Sequence, residues 1–138
     1  MKAFIPRFKA QGFGRIINVA STASLVGAKY TGAYTASKHA VLGLTRCAAA
    51  ELMNTGVTVN AVCPGFVDTP MTQDTLDNIV RKTGRTPEQS LKALLKQSGQ
   101  PRLVRPAEVV HAILGFASDN ASGINGQAVV IDGGALQA

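Results

Sequence analysis

Arg15-Ile16-Ile17-Asn18-Val19-Ala20, followed at once by Ser21, is the stretch on which the fold turns. Its apolar pairs, Ile16-Ile17 and Val19-Ala20, flank one Asn and predict a short buried strand. Strands buried on both faces belong to parallel sheets covered by helices. Ser21 to Gly32 is small, polar and Gly-containing, a loop signal. Beyond it the period changes. From about Thr31 to Met53, Ala33, Ala36, Ser37, Ala40, Val41, Leu44, Ala48 and Leu52 recur at helical spacing. Small residues dominate one side of this helix, which permits close approach of another helix. Asn54-Thr55-Gly56 ends it, with Gly56 as the expected cap. Val57 to Val62 reads as a second buried strand, broken by Pro64-Gly65.

Outward from this core the pattern continues. Met1 to Ala10 reads as the end of an amphipathic helix with Phe4, Ile5 and Phe8 on one side, and residues 11–14 as a turn. Thr69 to Ser98 is a polar, helix-rich insertion whose second helix opens at Thr86-Pro87-Glu88, where Pro suits the first turn. Pro106 opens a helix to about Ser118. Gln127 to Ile131 reads as a third strand, closed by Asp132-Gly133-Gly134. Apolar strands alternating with helices predict an α/β fold with a parallel sheet, in one domain spanning 1–138.

Composition agrees with a globular domain. Hydrophobic residues make up 46% of 138, enough to bury a core. Aromatics are only 5% while Gly numbers 14, which favours close helix packing over an aromatic-cored sandwich. No apolar run is long enough to span a bilayer. The opening MKAFIPRFKAQGFGR lacks the apolar middle of a signal peptide. A cytoplasmic protein without membrane attachment is the expectation. Cys47 and Cys63 show neither metal-ligand spacing nor a disulfide framework, and both read as reduced structural thiols. His39 and His111 read as surface or interface residues, and no metal site is expected.

The net charge is +6. Between Arg81 and Arg105, the bases Arg81, Lys82, Arg85, Lys92, Lys96, Arg102 and Arg105 face only Glu88. The plain reading is a solvated helical surface. A sharper one is a patch for an anionic substrate handle, such as a coenzyme A or carrier phosphate. Nucleic acid is disfavoured, since no recognition motif accompanies the charge.

Tyr34 and Lys38 stand four apart in the long helix, on one face and one turn apart. A free phenol titrates near 10 and is alone a poor acid or base at neutrality. A nearby ammonium stabilises the phenolate, so such a pair can exchange a proton with a carbonyl or alcohol oxygen. Taken alone, it is equally a surface Lys beside a packed Tyr. Ser21 follows directly on a strand, at the carboxyl edge where ligands of open α/β sheets sit. A hydroxyl there can hydrogen-bond a substrate oxygen as charge develops. Thr22 and Ser24 are available to serve the local turn, which leaves Ser21 free for that role. Pro64-Gly65-Phe66-Val67-Asp68-Thr69 also follows a strand, and turns the chain so that backbone groups face a ligand.

Four segments then fall into register: residues 14–21, Tyr34 to Lys38, residues 60–70, and Asn125-Gly126 through Asp132-Gly133-Gly134. In order and separation they resemble the short-chain dehydrogenase/reductase family over essentially the whole chain. The resemblance implies a Rossmann-like doubly wound sheet, of which this chain is the C-terminal part. It implies NAD or NADP as cofactor and a carbonyl and secondary alcohol as substrate and product. Tyr34 would be the general acid/base. Lys38 would aid it and hydrogen-bond the nicotinamide ribose, and Ser21 would orient the substrate oxygen. The turn holding Pro64, Gly65, Val67 and Thr69 would hold the nicotinamide, with Val67 meeting the carboxamide through its backbone. Residues 71–101 would cap the substrate. The helix bearing Tyr34 would pack against another subunit in a dimer or tetramer.

Within the family the chain looks most like enzymes of 3-oxoacyl and 3-hydroxyacyl compounds, including 3-hydroxybutyrate dehydrogenases. Those carry His two residues after the Ser, where this chain has Ala23, and Lys three before the Tyr, where it has Thr31. The basic insertion therefore fits an acyl-CoA or acyl-carrier thioester better than a small free acid. The family's opening Thr-Gly-x-x-x-Gly-x-Gly turn, which binds pyrophosphate at a helix N-terminus, has no counterpart in this sequence. Neither has its Asn-Asn-Ala-Gly motif or its catalytic Asn, and Asn18 is misplaced to replace that Asn. The expectation is a truncated chain that in isolation turns over little and exposes a strand edge. The alternative is a non-catalytic fragment that acts as an association module through the helix from Thr31 to Met53.

Overall fold

The computed structural model describes residues 1–137. Three strands form a parallel sheet in the order β1-β2-β3: β1 is Gly14–Val19, β2 is Val57–Pro64 and β3 is Ala128–Ile131. Register pairs Val19 with Val62 and Pro64 with Ile131, so all three strands end at one edge. β2 is the middle strand and is buried along its whole length, as its apolar run predicts.

Helix α1 (Ile5–Gln11) precedes β1, and α2 (Gly32–Glu51) joins β1 to β2. Between β2 and β3 lie α3 (Pro70–Thr83), α4 (Pro87–Ser98) and α5 (Pro106–Ala117). Proline occupies the first turn of α1, α3, α4 and α5, where its missing N–H costs nothing and its fixed φ suits the helix. The predicted start of α4 is borne out in detail: the Thr86 hydroxyl accepts from Gln89 N–H, and the Gln89 side chain accepts from Thr86 N–H.

Side chains alternate across the sheet. On one face Ile16, Val57 and Val59 meet Ala48, Ala49 and Leu52 of α2 together with Ile5 and Phe8 of α1. Ala61 and Cys63 continue that face, under Leu42. Helix α5 packs on all three strands and covers the opposite face, which explains why Thr58, Asn60 and Val62 are as buried as their neighbours. Helices on both faces of a parallel sheet confirm the α/β doubly wound class.

Two expectations need correction. Helix α2 ends at Glu51 with Leu52 as its cap, so Gly56 is not the cap. Gly56 has φ +77, and any Cβ there would collide with the Gly12 carbonyl oxygen. Its role is a close passage of two chain segments. The buried stripe of α2 is Leu42, Thr45, Ala48 and Ala49. Ala33, Ala36, Ala40 and Leu44, taken together with Val41, Ala48 and Leu52 at helical spacing, are exposed.

Among the described residues, β1 pairs on one side only. Apolar groups crowd this edge. Phe4 is 62% and Val19 53% exposed, and an open cavity of about 340 Å³ lies between α1 and β1. No helix among the described residues is long and apolar enough to cross a membrane.

Candidate functional site

The carboxyl edge of the sheet gathers the predicted residues. Ser21 lies two residues past β1, and the Ala20 N–H continues the ladder by donating to Val62. The Ser21 hydroxyl is not free of local duty. It caps the 3-10 turn Thr22–Ser24 by accepting from Ala23 N–H at 3.1 Å, while Ser24 Oγ accepts from Ser21 N–H. The cap uses a lone pair of Ser21 Oγ and leaves its proton to donate. Buried Ser21 thus presents a positioned O–H, held by the turn it caps.

Tyr34 and Lys38 lie on one face of α2, as their spacing predicts. Lys38 Nζ donates to the Val19 carbonyl at 3.1 Å and stands 5.7 Å from the centroid of the Tyr34 ring, within cation–π range. Tyr34 itself is 45% exposed. Among the described residues, no hydrogen bond joins the Ser21 and Tyr34 hydroxyls. Lys38 is what links the group, since its ammonium bonds the end of β1 and stands over the Tyr34 ring.

Beneath them lies Cys63, fully buried. Burial pushes its thiol up, against a hydrogen bond from Ser21 N–H and the charges of Arg46 and Lys38. It stays a neutral, structural thiol. Cys47 is exposed on α2 and has no such packing role, which corrects the reading of both cysteines as structural.

The Pro64–Thr69 turn is built differently. Gly65 N–H donates to Ile131, extending the β2–β3 ladder. Phe66 and Asp68 bracket Val104: Val104 N–H donates to Phe66, and Asp68 N–H donates to Val104. This one-residue parallel bridge between Val67 and Val104 turns the N–H of Val67 away from Val104. Among the described residues that N–H has no partner. Thr69 sits just before α3 and its hydroxyl donates to the Val67 carbonyl at 3.4 Å. Gln100, which sequence reasoning did not single out, is buried against this turn. Its isolated position between Gly99 and Pro101 gives no periodic signal.

Asn18 lies outside the group and donates to Thr45 Oγ1 at 2.8 Å, a packing role. His39 is exposed and its ring bonds the Thr35 carbonyl. Exposed His111 also lies away from these residues, on α5. Among the described residues no His, Cys, Asp and Glu cluster could hold a metal ion. The basic stretch is less bare than its local sequence suggests. Arg102 and Arg105 both pair with Glu108, at 2.7 and 3.4 Å, and Arg81 donates to Asn78.

A family model described as enoyl-(acyl carrier protein) reductase matches residues 1–135. An uncharacterized oxidoreductase of Bacillus subtilis is 43% identical over 136 residues, covering 97% of this chain and 52% of that protein. D-beta-hydroxybutyrate dehydrogenase of Rhizobium meliloti is 39% identical, with the same 97% and 52% coverage. The crystal structure of an actinorhodin polyketide ketoreductase with NADPH superposes with TM-score 0.85 at 35% identity, over 93% of this chain and 49% of that one. The chain spans about half the length of the curated relatives it matches.

Proposed function

Since this chain belongs to the short-chain dehydrogenase/reductase family, we propose that it carries the proton-transfer and nicotinamide-facing half of an oxidoreductase. The enzyme interconverts a carbonyl and a secondary alcohol with NAD or NADP. The observation that carries this reading is Lys38, fixed on the Val19 carbonyl with its ammonium over the Tyr34 ring. This places a cation beside the tyrosine that would exchange a proton with the substrate oxygen.

The residues present fit the nicotinamide end of a dinucleotide. The outward N–H of Val67 suits a carboxamide oxygen, and Thr69 and Lys38 lie at the same sheet edge. A bound nicotinamide would supply or take up the hydride. In the reductive direction Tyr34 gives its proton to the carbonyl oxygen as that oxygen gains charge, and Ser21 donates a hydrogen bond to the same oxygen. In the oxidative direction Tyr34 takes the alcohol proton. Pro64 and Gly65 turn the chain so that Val67 faces the site. The pyrophosphate-binding turn has no counterpart in this sequence, so the dinucleotide's phosphates need further protein surface.

A 3-oxoacyl or 3-hydroxyacyl substrate is the preferred class, supported by hydroxybutyrate and ketoreductase relatives. With Arg102 and Arg105 engaged by Glu108, the bases left for a thioester's phosphates are Lys82, Arg85, Lys92 and Lys96. The exposed small residues of α2 (Ala33, Ala36, Ala40) support a homo-oligomer formed through that helix.

The test is NADH and NADPH oxidation with acetoacetyl-CoA and with acetoacetate. It uses the purified chain alone and the chain mixed with the N-terminal half of the Bacillus subtilis relative. Turnover is expected only in the mixture, with the thioester preferred. A mixture whose turnover survives Tyr34→Phe would sink the proposal.

A further inference from the structure

We propose that Gln100 is a positioning residue that fixes the Pro64–Thr69 turn so that the Val67 N–H faces a bound nicotinamide. This rests on the functional reading above and adds a residue to it. Gln100 Oε1 accepts from Phe66 N–H at 2.8 Å. Its Nε2 donates to the Phe66 carbonyl and to the Arg102 carbonyl, each at 3.3 Å. One amide side chain therefore engages both backbone polar groups of the residue before Val67, as a neighbouring strand would. No other side chain among the described residues does this for the turn. A buried amide with donor and acceptor both used holds one orientation, because any rotation leaves a buried group unpaired.

The niche for that amide is built. A Cβ at Gly65 would lie 2.5 Å from Gln100 Oε1 and 3.0 Å from the Asp132 Cβ, so the absence of a side chain at 65 is what admits Gln100. Asp132 forms the far wall and is itself fixed. Its Oδ1 accepts from the N–H groups of Gly134 and Ala135, and its Oδ2 from that of Leu136. The segment after β3 thus backs Gln100, and Gln100 holds Phe66, the residue that leads into the Val67–Val104 bridge.

The test uses the full chain with Gln100→Leu and Gln100→Glu. Amide exchange by NMR reads the turn, and titration with nicotinamide mononucleotide, followed at the Val67 amide, reads the site. In Gln100→Leu, exchange at Phe66 and Asp68 is expected to rise about 10-fold, the loss of a buried hydrogen bond, while β2 stays protected. Half-saturation of the Val67 shift is expected to need about 10-fold more nucleotide. In Gln100→Glu, an ionised carboxylate accepts from Phe66 N–H but cannot donate to Phe66 or Arg102. Protection and affinity should therefore recover on acidification as that carboxyl protonates, a pH profile the unmodified chain lacks. Should Gln100→Leu fail to fold, Gln100→Glu alone decides. Unchanged exchange, or pH-independent behaviour of Gln100→Glu, would overturn the positioning role. Loosened exchange with unchanged nucleotide response would overturn its link to the site while leaving the functional reading standing. No Val67 response in the unmodified chain would remove that reading and the inference together.

Discussion

The two sides of the site differ in how they are held. Around Tyr34 little constrains the surface. The phenol is half exposed, Lys38 is anchored by one hydrogen bond, and Tyr30 in the preceding loop is fully exposed with φ +65. Around Val67 nearly every backbone group is engaged, by β3, by Val104 and by Gln100. The Tyr34 side is thus open to whatever completes it, while the Pro64–Thr69 turn is held along most of its backbone before any ligand arrives. Rigid geometry matters most where a backbone N–H must meet one ligand atom, since a donor held in place needs no reorganisation on binding.

Removing the phenol oxygen tests the open side and gives the largest effect. Tyr34→Phe is expected to lower kcat by roughly 10²- to 10⁴-fold in the complemented enzyme. Stability should move by less than about 0.5 kcal/mol, because among the described residues the half-exposed hydroxyl has no partner to lose. Steady-state kinetics with a denaturation curve checks both. A large loss of stability would mean that the open side is more tightly built than its exposure indicates.

That contrast was only half legible in the sequence. Strands and helices were, because β2 is a continuous apolar run and Pro87 and Pro106 mark two helix starts. The placement of Ser21 just past a strand, and of Tyr34 and Lys38 on one face of a helix, was readable from strand-end position and helical spacing. The clamp was not. A one-residue bridge such as Val67–Val104 has no periodicity, and Gln100 reaches Phe66 across 34 positions. The capping role of Ser21 was assigned to its neighbours because all three hydroxyls suit a turn, and only backbone direction selects among them. Glu108 lies just past the basic stretch, so counting within that stretch hid the partner of Arg102 and Arg105.

Filling the Gln100 niche probes the rigid side. Gly65→Ala is expected to cost about 1–3 kcal/mol, the usual range for overpacking a tight site, and to raise amide exchange at Phe66. Urea denaturation provides the measure. A near-neutral result would show that Gln100 can leave its niche freely and that the two sides are equally soft.

Ser21 lies just past the end of β1, where its hydroxyl caps the Thr22–Ser24 turn and its N–H donates to Ser24 Oγ. Ser21→Ala is expected to cost about 1 kcal/mol through the lost cap, together with a fall in kcat. Ser21→Thr should restore the cap and most of the stability. If Ser21→Ala lowers kcat with no change in stability, the cap contributes nothing and only the donor role remains.

The smallest effect lies at the outer layer of the clamp. Glu108 accepts from Arg102 Nη1 and Nη2 at 2.8 and 2.7 Å and from the Arg105 N–H at 2.8 Å, bracketing the segment that carries Val104. The paired Arg102 bonds first, then the Arg105 N–H, hold the Glu108 carboxyl well below the usual carboxylate range. A carboxyl depressed in the folded state contributes stability above its unfolded value, about 4.3, and loses it as pH falls toward the folded value. Glu108→Gln removes the charge, so its stability deficit at pH 7 should narrow steadily below about pH 5. Both partners face solvent, so salt should shrink the deficit as well. Denaturation of both proteins across pH 7 to pH 3 decides it. A deficit independent of pH and salt would mean that Glu108 supports Val104 through packing and hydrogen-bond shape, with its charge irrelevant to the clamp.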